Sequence, residues 1–206
     1  MNHKSRVRWA VALFAAFCWG GANALDSNTF EVLYSFDDVD FDGAGDDDGD
    51  SIAVYYTRSL AVESVAQGSA FVVGSYARGA LEESLNDVEN AYAGIGLELP
   101  IGSGEQDISI GGAVTFDHSV FGGQADNGLG LLGGFHAAFS PRFSLDGHLR
   151  QVFMENTDVF ELQFGVGIRM TNGGELVVQY RNRDFDVDSG ADFDFTSIMI
   201  GLRRPI

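Results

Sequence analysis

Cysteine occurs once in the 206 residues, at Cys18, and lysine once, at Lys4. There are three prolines and two tryptophans, and twelve basic side chains stand against thirty acidic ones, a formal charge of −18. One cysteine cannot make an intrachain disulfide, so no disulfide framework shapes the fold. So few and scattered basic groups argue against nucleic acid, whose phosphates need clustered Lys and Arg. Glycine is frequent at 27 residues. With so little proline, this is neither collagen nor a proline-rich linker. Beyond residue 24 no apolar run approaches the roughly 18 residues of a spanning helix, and no amphipathic helix stands out. What is present is a 45% hydrophobic content, too high for a fully disordered chain.

The first 24 residues read as a separate segment. Lys4, Arg6 and Arg8 precede an apolar run from Trp9 to Trp19, and Gly20 to Ala24 ends in Ala-Asn-Ala. These are the three parts of a secretory signal peptide, with cleavage expected after Ala24. The apolar run is too short for a membrane anchor, and bulky Phe17 before Cys18 disfavours lipidation. Taking 24 from 206 leaves 182 residues. Thirty acids against nine Arg then give −21, with no Cys, Lys or Trp.

The period of the remainder is two, the signature of strands. From Val159 to Met170 one face carries Phe160, Leu162, Phe164, Val166, Ile168 and Met170, and the other Glu161, Gln163, Gly165, Gly167 and Arg169. The same division recurs at Phe30–Phe36, Ala91–Ile101, Asp107–Phe116, Leu129–Phe139, Phe143–Phe153, Glu175–Arg183 and Asp192–Leu202. Segments near 51–61 and 69–78 have more similar faces, and the total is about ten strands, with eight as the runner-up. A soluble sandwich with Glu98, Arg150, Glu161 and Arg169 in its core would bury charge at high cost.

The connections alternate in length. Those at 37–50, 80–90, 117–128, 154–158 and 184–194 total 53 residues and carry 21 acids and no Arg. Those at 63–68, 102–106, 140–142 and 171–174 total 18, with turn chemistry at Ser140-Pro141-Arg142 and Thr171-Asn172-Gly173-Gly174. Long loops at one end and tight turns at the other mark an outer-membrane barrel. On these segments the chain resembles the small outer-membrane β-barrels of the OmpA-like and OmpX-like group. The resemblance implies a transmembrane antiparallel up-and-down β-barrel over residues 25–206, located in the outer membrane after signal cleavage. It also implies lipid, lipopolysaccharide and the barrel-assembly machinery as partners, no nucleic acid, and a monomer.

Within such a barrel the polar face points inward. It offers Glu31, Glu98, Asp146, Arg150, Glu161, Arg169, Arg181 and Arg183 as a charge network, with Asp107 and Glu175 beside them, across a glycine-lined wall. Arg–carboxylate bonds would fill the lumen; a narrow ion or solute channel with a charged constriction is the alternative. In the first acidic connection, Asp38, Asp40, Asp42 and Gly43 match the opening of a calcium loop, with Asp46 and Asp48 following. The pattern fails at its twelfth position, where Gly49 stands, so a solvated acidic loop competes with weak calcium binding. No other cofactor is expected. Asp117-His118-Ser119 is the only arrangement pointing to a surface hydrolase of lipid or peptide, and adjacent strand residues face opposite ways. A structural or surface-interaction role therefore leads.

Overall fold

The computed structural model describes residues 28–42, 45–65, 68–82, 87–101, 107–188 and 192–206. The expected signal peptide, with Cys18, lies outside them, as do Gly43 and the side chain of Asp107. Ten strands follow in order: β1 Thr29–Phe41, β2 Gly45–Val65, β3 Gly68–Leu81, β4 Asp87–Pro100, β5 Asp107–Phe121, β6 Gln124–Ser140, β7 Phe143–Met154, β8 Thr157–Arg169, β9 Glu175–Val187 and β10 Phe193–Pro205. Each pairs antiparallel with its sequence neighbours, and β1 closes on β10 with Val32 opposite Leu202. Ten strands, not eight, make the barrel. Closure leaves no open sheet edge, which is what a sheet in hydrocarbon requires.

The alternation decides which face is which. Leu129 is 60% exposed, while Arg150, on the facing strand, is 1% exposed. Phe36, Ile95, Leu97, Val114, Phe116, Phe139, Phe164 and Ile198 also point out of the barrel. Glu31, Glu161, Gln163, Gln179 and Arg181 are buried within it. The apolar side chains thus form the outer surface, the reverse of a water-soluble barrel and the arrangement lipid selects.

The connections differ from the expectation of long acidic loops. Asp37, Asp38 and Asp40 belong to β1, and Asp46 to Asp50 to β2, paired as Asp38 with Asp48 and Asp40 with Asp46. The segment expected as a loop at 117–128 is a hairpin closed by Gly122 and Gly123. Both glycines have positive φ (56° and 80°), the backbone of the two-residue turn that matches strand twist. At 155–156 the turn is equally short, and the Asp126 carboxylate accepts from the backbone N–H of Glu155 and Asn156 at 3.1 and 3.0 Å. At the other end the expected turns at 140–142 and 171–174 hold, while 102–106 and part of 63–68 lie outside the described residues. Ser140 Oγ accepts from the N–H of Arg142 and Phe143, and Gly173 has a φ of 82°.

The strands run on because the alternation continues past the apolar belt with its polarity exchanged. On β1, outward Phe36 is followed by outward Asp38 and Asp40, while inward Asp37 is followed by inward Val39 and Phe41. On β10, Asp194 points out and Phe193 and Phe195 point in; on β9, Asp184 and Asp186 point out and Phe185 in. At this end Val39, Leu81, Val152, Val159, Phe185, Phe193 and Phe195 form a buried apolar cluster, joined by Phe41, Val88 and Phe121. Water surrounds this rim, so it is built like a soluble barrel, oil inside and carboxylates outside.

Candidate functional site

Three layers fill the lumen. At the end away from the acidic rim, Arg203 is the hub. Its Nε donates to Glu31 Oε2 at 3.1 Å, its Nη2 lies 2.8 Å from Asp146 Oδ1, and its Nη1 donates to Glu175 Oε2 at 3.1 Å. Ser144 Oγ donates to Glu175 at 2.5 Å, and Gln179 Nε2 to Glu31 at 2.7 Å. Room for this layer comes from glycine, because a Cβ on Gly167 would fall on the Glu175 carboxylate and the Ser144 hydroxyl.

In the middle layer Arg150 Nη1 donates to Asp117 Oδ1 at 2.7 Å and Nη2 to Glu161 Oε2 at 3.1 Å. Its guanidinium stacks 4.3 Å from the Tyr92 ring centre. Thr115 Oγ1 donates to Asp117 at 2.5 Å, and His148 Nε2 lies 2.9 Å from Glu161 Oε1. Arg181 donates to Tyr55 Oη at 3.1 Å and Ser197 Oγ at 3.3 Å, and Ser197 in turn donates to Asp37 at 2.7 Å. Gln163 Nε2 donates to Gln179 Oε1 at 2.6 Å, which ties this layer to the one below. Such charge-assisted bonds are the strong ones.

The upper layer is aromatic. Arg183 lies 4.3 Å over Phe195 and 5.6 Å over Phe185. Above it Phe185 stacks on Phe193 at 4.4 Å and Phe121 on Phe193 at 4.8 Å, with Phe41 against both Phe121 and Phe193. The barrel mouth at the acidic rim is therefore crossed by packed rings.

An apolar outside, a closed ladder and an ion-paired inside settle the class. The molecule is a small outer-membrane-type β-barrel. No protein-family model and no curated protein matches it. Among solved structures it is similar to the β-domain of the Bordetella autotransporter BrkA (TM-score 0.47, 11% identity, 88% of this chain and 100% of that one). It is also similar to Neisserial surface protein A (TM-score 0.40, 13% identity, 89% and 100%). The attachment invasion locus protein Ail of Yersinia pestis gives a TM-score of 0.35 at 13% identity, covering 87% and 99%.

Of the residues expected in the barrel's charge network, Glu31, Asp146, Arg150, Glu161, Arg181 and Arg183 face the lumen among these layers. Glu98 accepts from Ser109 Oγ beside them. Arg169 lies opposite Glu175 in the register, whose carboxylate goes to Arg203 and Ser144 instead. Two residues central to the network were not expected there. Arg203 continues the inward parity of Ser197, Met199 and Gly201, and Asp117 that of Ala113 and Thr115, both buried. The Asp117-His118-Ser119 triplet is split. Asp117 is inside on Arg150, His118 is outside 2.8 Å from Asn127 Oδ1, and Ser119 accepts from Asn90.

Of the residues expected as a calcium loop, Gly43 lies outside the described residues. Asp38 and Asp40 lie on extended β1 and Asp46 and Asp48 on extended β2, all pointing outward, with Asp42 in the turn. Carboxylates along a strand face spread out instead of wrapping one cation. Among the described residues no three His, Cys, Asp or Glu side chains gather as a ligand set.

Proposed function

We propose that the chain is an outer-membrane barrel with a sealed lumen, serving as a structural and surface-interaction protein through its acidic rim. The observation that carries this reading is the stacking of three side-chain layers across one lumen. Arg203 gathers Glu31, Asp146 and Glu175 in the lower layer, Arg150 bridges Asp117 and Glu161 and Arg181 donates to Tyr55 in the middle one, and the rings of Phe41, Phe121, Phe185 and Phe193 cross the mouth. A conducting pore needs a continuous wetted path with sites weak enough to release an ion. Guanidinium–carboxylate clusters and stacked phenyl rings packed across the lumen oppose both conditions.

The rim would meet cations, basic partner surfaces or cation-bridged lipopolysaccharide phosphates by electrostatic attraction, which gives steering more than affinity. Planar-bilayer recording of the folded chain tests the seal. The expected trace is flat, and reproducible single-channel steps would overturn the reading. Truncating the ring layer alone (Phe185→Ala with Phe193→Ala) is expected to leave the trace flat, because the two polar layers below still fill the lumen.

A further inference from the structure

The apolar belt is not equally tall around the barrel. On β4, β5, β6 and β8 the outward apolar series is long: Ala91 to Leu99, Ile108 to Phe116, Leu129 to Phe139 and Phe160 to Ile168, five or six outward positions each, glycines included; on β7 the series Phe143 to Leu149 is followed by Gln151 and then Phe153. On β9, β10 and β2 it is three positions, as in Ile198, Ile200 and Leu202, and on β1 it is four, Phe30 to Phe36. At a tilt near 40° each outward position advances about 5 Å along the membrane normal. The long wall therefore spans about 25–30 Å and the short wall about 15–20 Å, against the ~25 Å of a usual outer-membrane belt.

The short series ends in polar or charged side chains. Toward the rim the next outward residues are Asp38 on β1, Asp50 on β2, Asn182 on β9 and, on β10, Thr196 before Asp194. At the other end come Arg58 on β2 and Arg204 on β10, which flank Phe30 of β1 through the registers Phe30–Tyr56 and Phe30–Arg204. Carboxylates repel lipid phosphates, whereas Arg reaches for them. A second copy docked on this wall would set its outward aspartates against those of the first, so self-association does not cover it.

We infer that the bilayer is locally thinned against the β9–β10–β1–β2 wall, with anionic phospholipid headgroups of the leaflet away from the acidic rim drawn to Arg58 and Arg204. This rests on the membrane reading above. The chain from residue 25 onward holds no cysteine, so a single introduced one is labelled cleanly. A nitroxide at Phe30→Cys on the short wall and one at Phe135→Cys on the long wall are compared in phosphatidylcholine vesicles containing phosphatidylglycerol. The comparison uses collision with oxygen, which prefers hydrocarbon, and with a water-soluble nickel chelate.

Label 30 is expected to meet the chelate severalfold more than label 135. Adding Arg58→Gln with Arg204→Gln is expected to return label 30 toward the oxygen-rich interior. Both labels deep in hydrocarbon would overturn the thinning while leaving the barrel reading intact. Both labels fully open to the chelate would overturn the membrane reading itself. If label 30 is unmoved by the double substitution, the headgroup role of the two Arg falls. Should that variant not fold, the unsubstituted pair of labels still decides the thinning.

Discussion

Arg150 and Arg183 are both almost fully buried, yet what faces them differs. Arg150 is held by two carboxylates, Asp117 and Glu161, and a Tyr92 ring. Arg183 lies against the Phe195 and Phe185 rings. Removing one member of a buried ion cluster leaves its partners as uncompensated charge, at about 3–5 kcal/mol. Removing a cation stacked on rings forfeits about 1 kcal/mol, and an apolar replacement suits the neighbouring cluster. Arg150→Met is therefore expected to lower the urea midpoint of the folded barrel strongly, and Arg183→Met only slightly. Equal midpoints for the two variants would contradict the layered description. The network's membership was partly legible, since parity alone places Glu31, Glu161 and Arg181 inside. Its pairing was not. Asp117 and Arg150 sit 33 residues apart and meet through strand shear, which the local pattern does not specify.

At the scale of the strand, the exchange of polarity explains why sequence reading ended β1 near Phe36. The outward apolar residues mark the strand there, and beyond them Asp38 and Asp40 resemble a loop. The parity never breaks; only the solvent outside the strand changes from lipid to water. The same exchange hides Phe185, which continues the inward positions beyond Arg183 at the end of β9. The tight turns at Ser140–Arg142 and Thr171–Gly174 were legible because Gly, Asn, Ser and Pro carry their own local geometry. A test follows from the pattern. Val39→Asp buries a charge in the apolar cluster and is expected to destabilise severely. Asp40→Asn, one residue on and facing water, is expected to stay within about 0.5 kcal/mol. Equilibrium unfolding in detergent micelles distinguishes them, and a comparable loss from both would refute the inward placement of Val39.

For the molecule as a whole, every strand depends on two neighbours, and β1 finds one of its partners at the far end of the chain, in β10. Such closure makes folding cooperative and rich in non-local pairing, hence slow. It is also expected to keep the folded form compact in detergent. Unboiled samples are expected to run at a different apparent mass from boiled ones on a denaturing gel. A mobility unchanged by heating, with the protein recovered in the soluble fraction, would contradict the barrel in its membrane setting.

The exchanged polarity at the rim has a consequence for how the barrel reaches its resting place. In the folded protein Asp38, Asp40, Asp46, Asp48, Asp184, Asp186 and Asp194 all point away from the barrel axis, with nothing of the wall to shelter them. If the barrel inserts with the rim on the far side from where synthesis delivers the chain, this crown of carboxylates crosses the oily interior once. Once across, each carboxylate regains its water, and a return passage would strip that water from all of them together. On that reading the crown works as a one-way latch, and orientation is held by the barrier to going back.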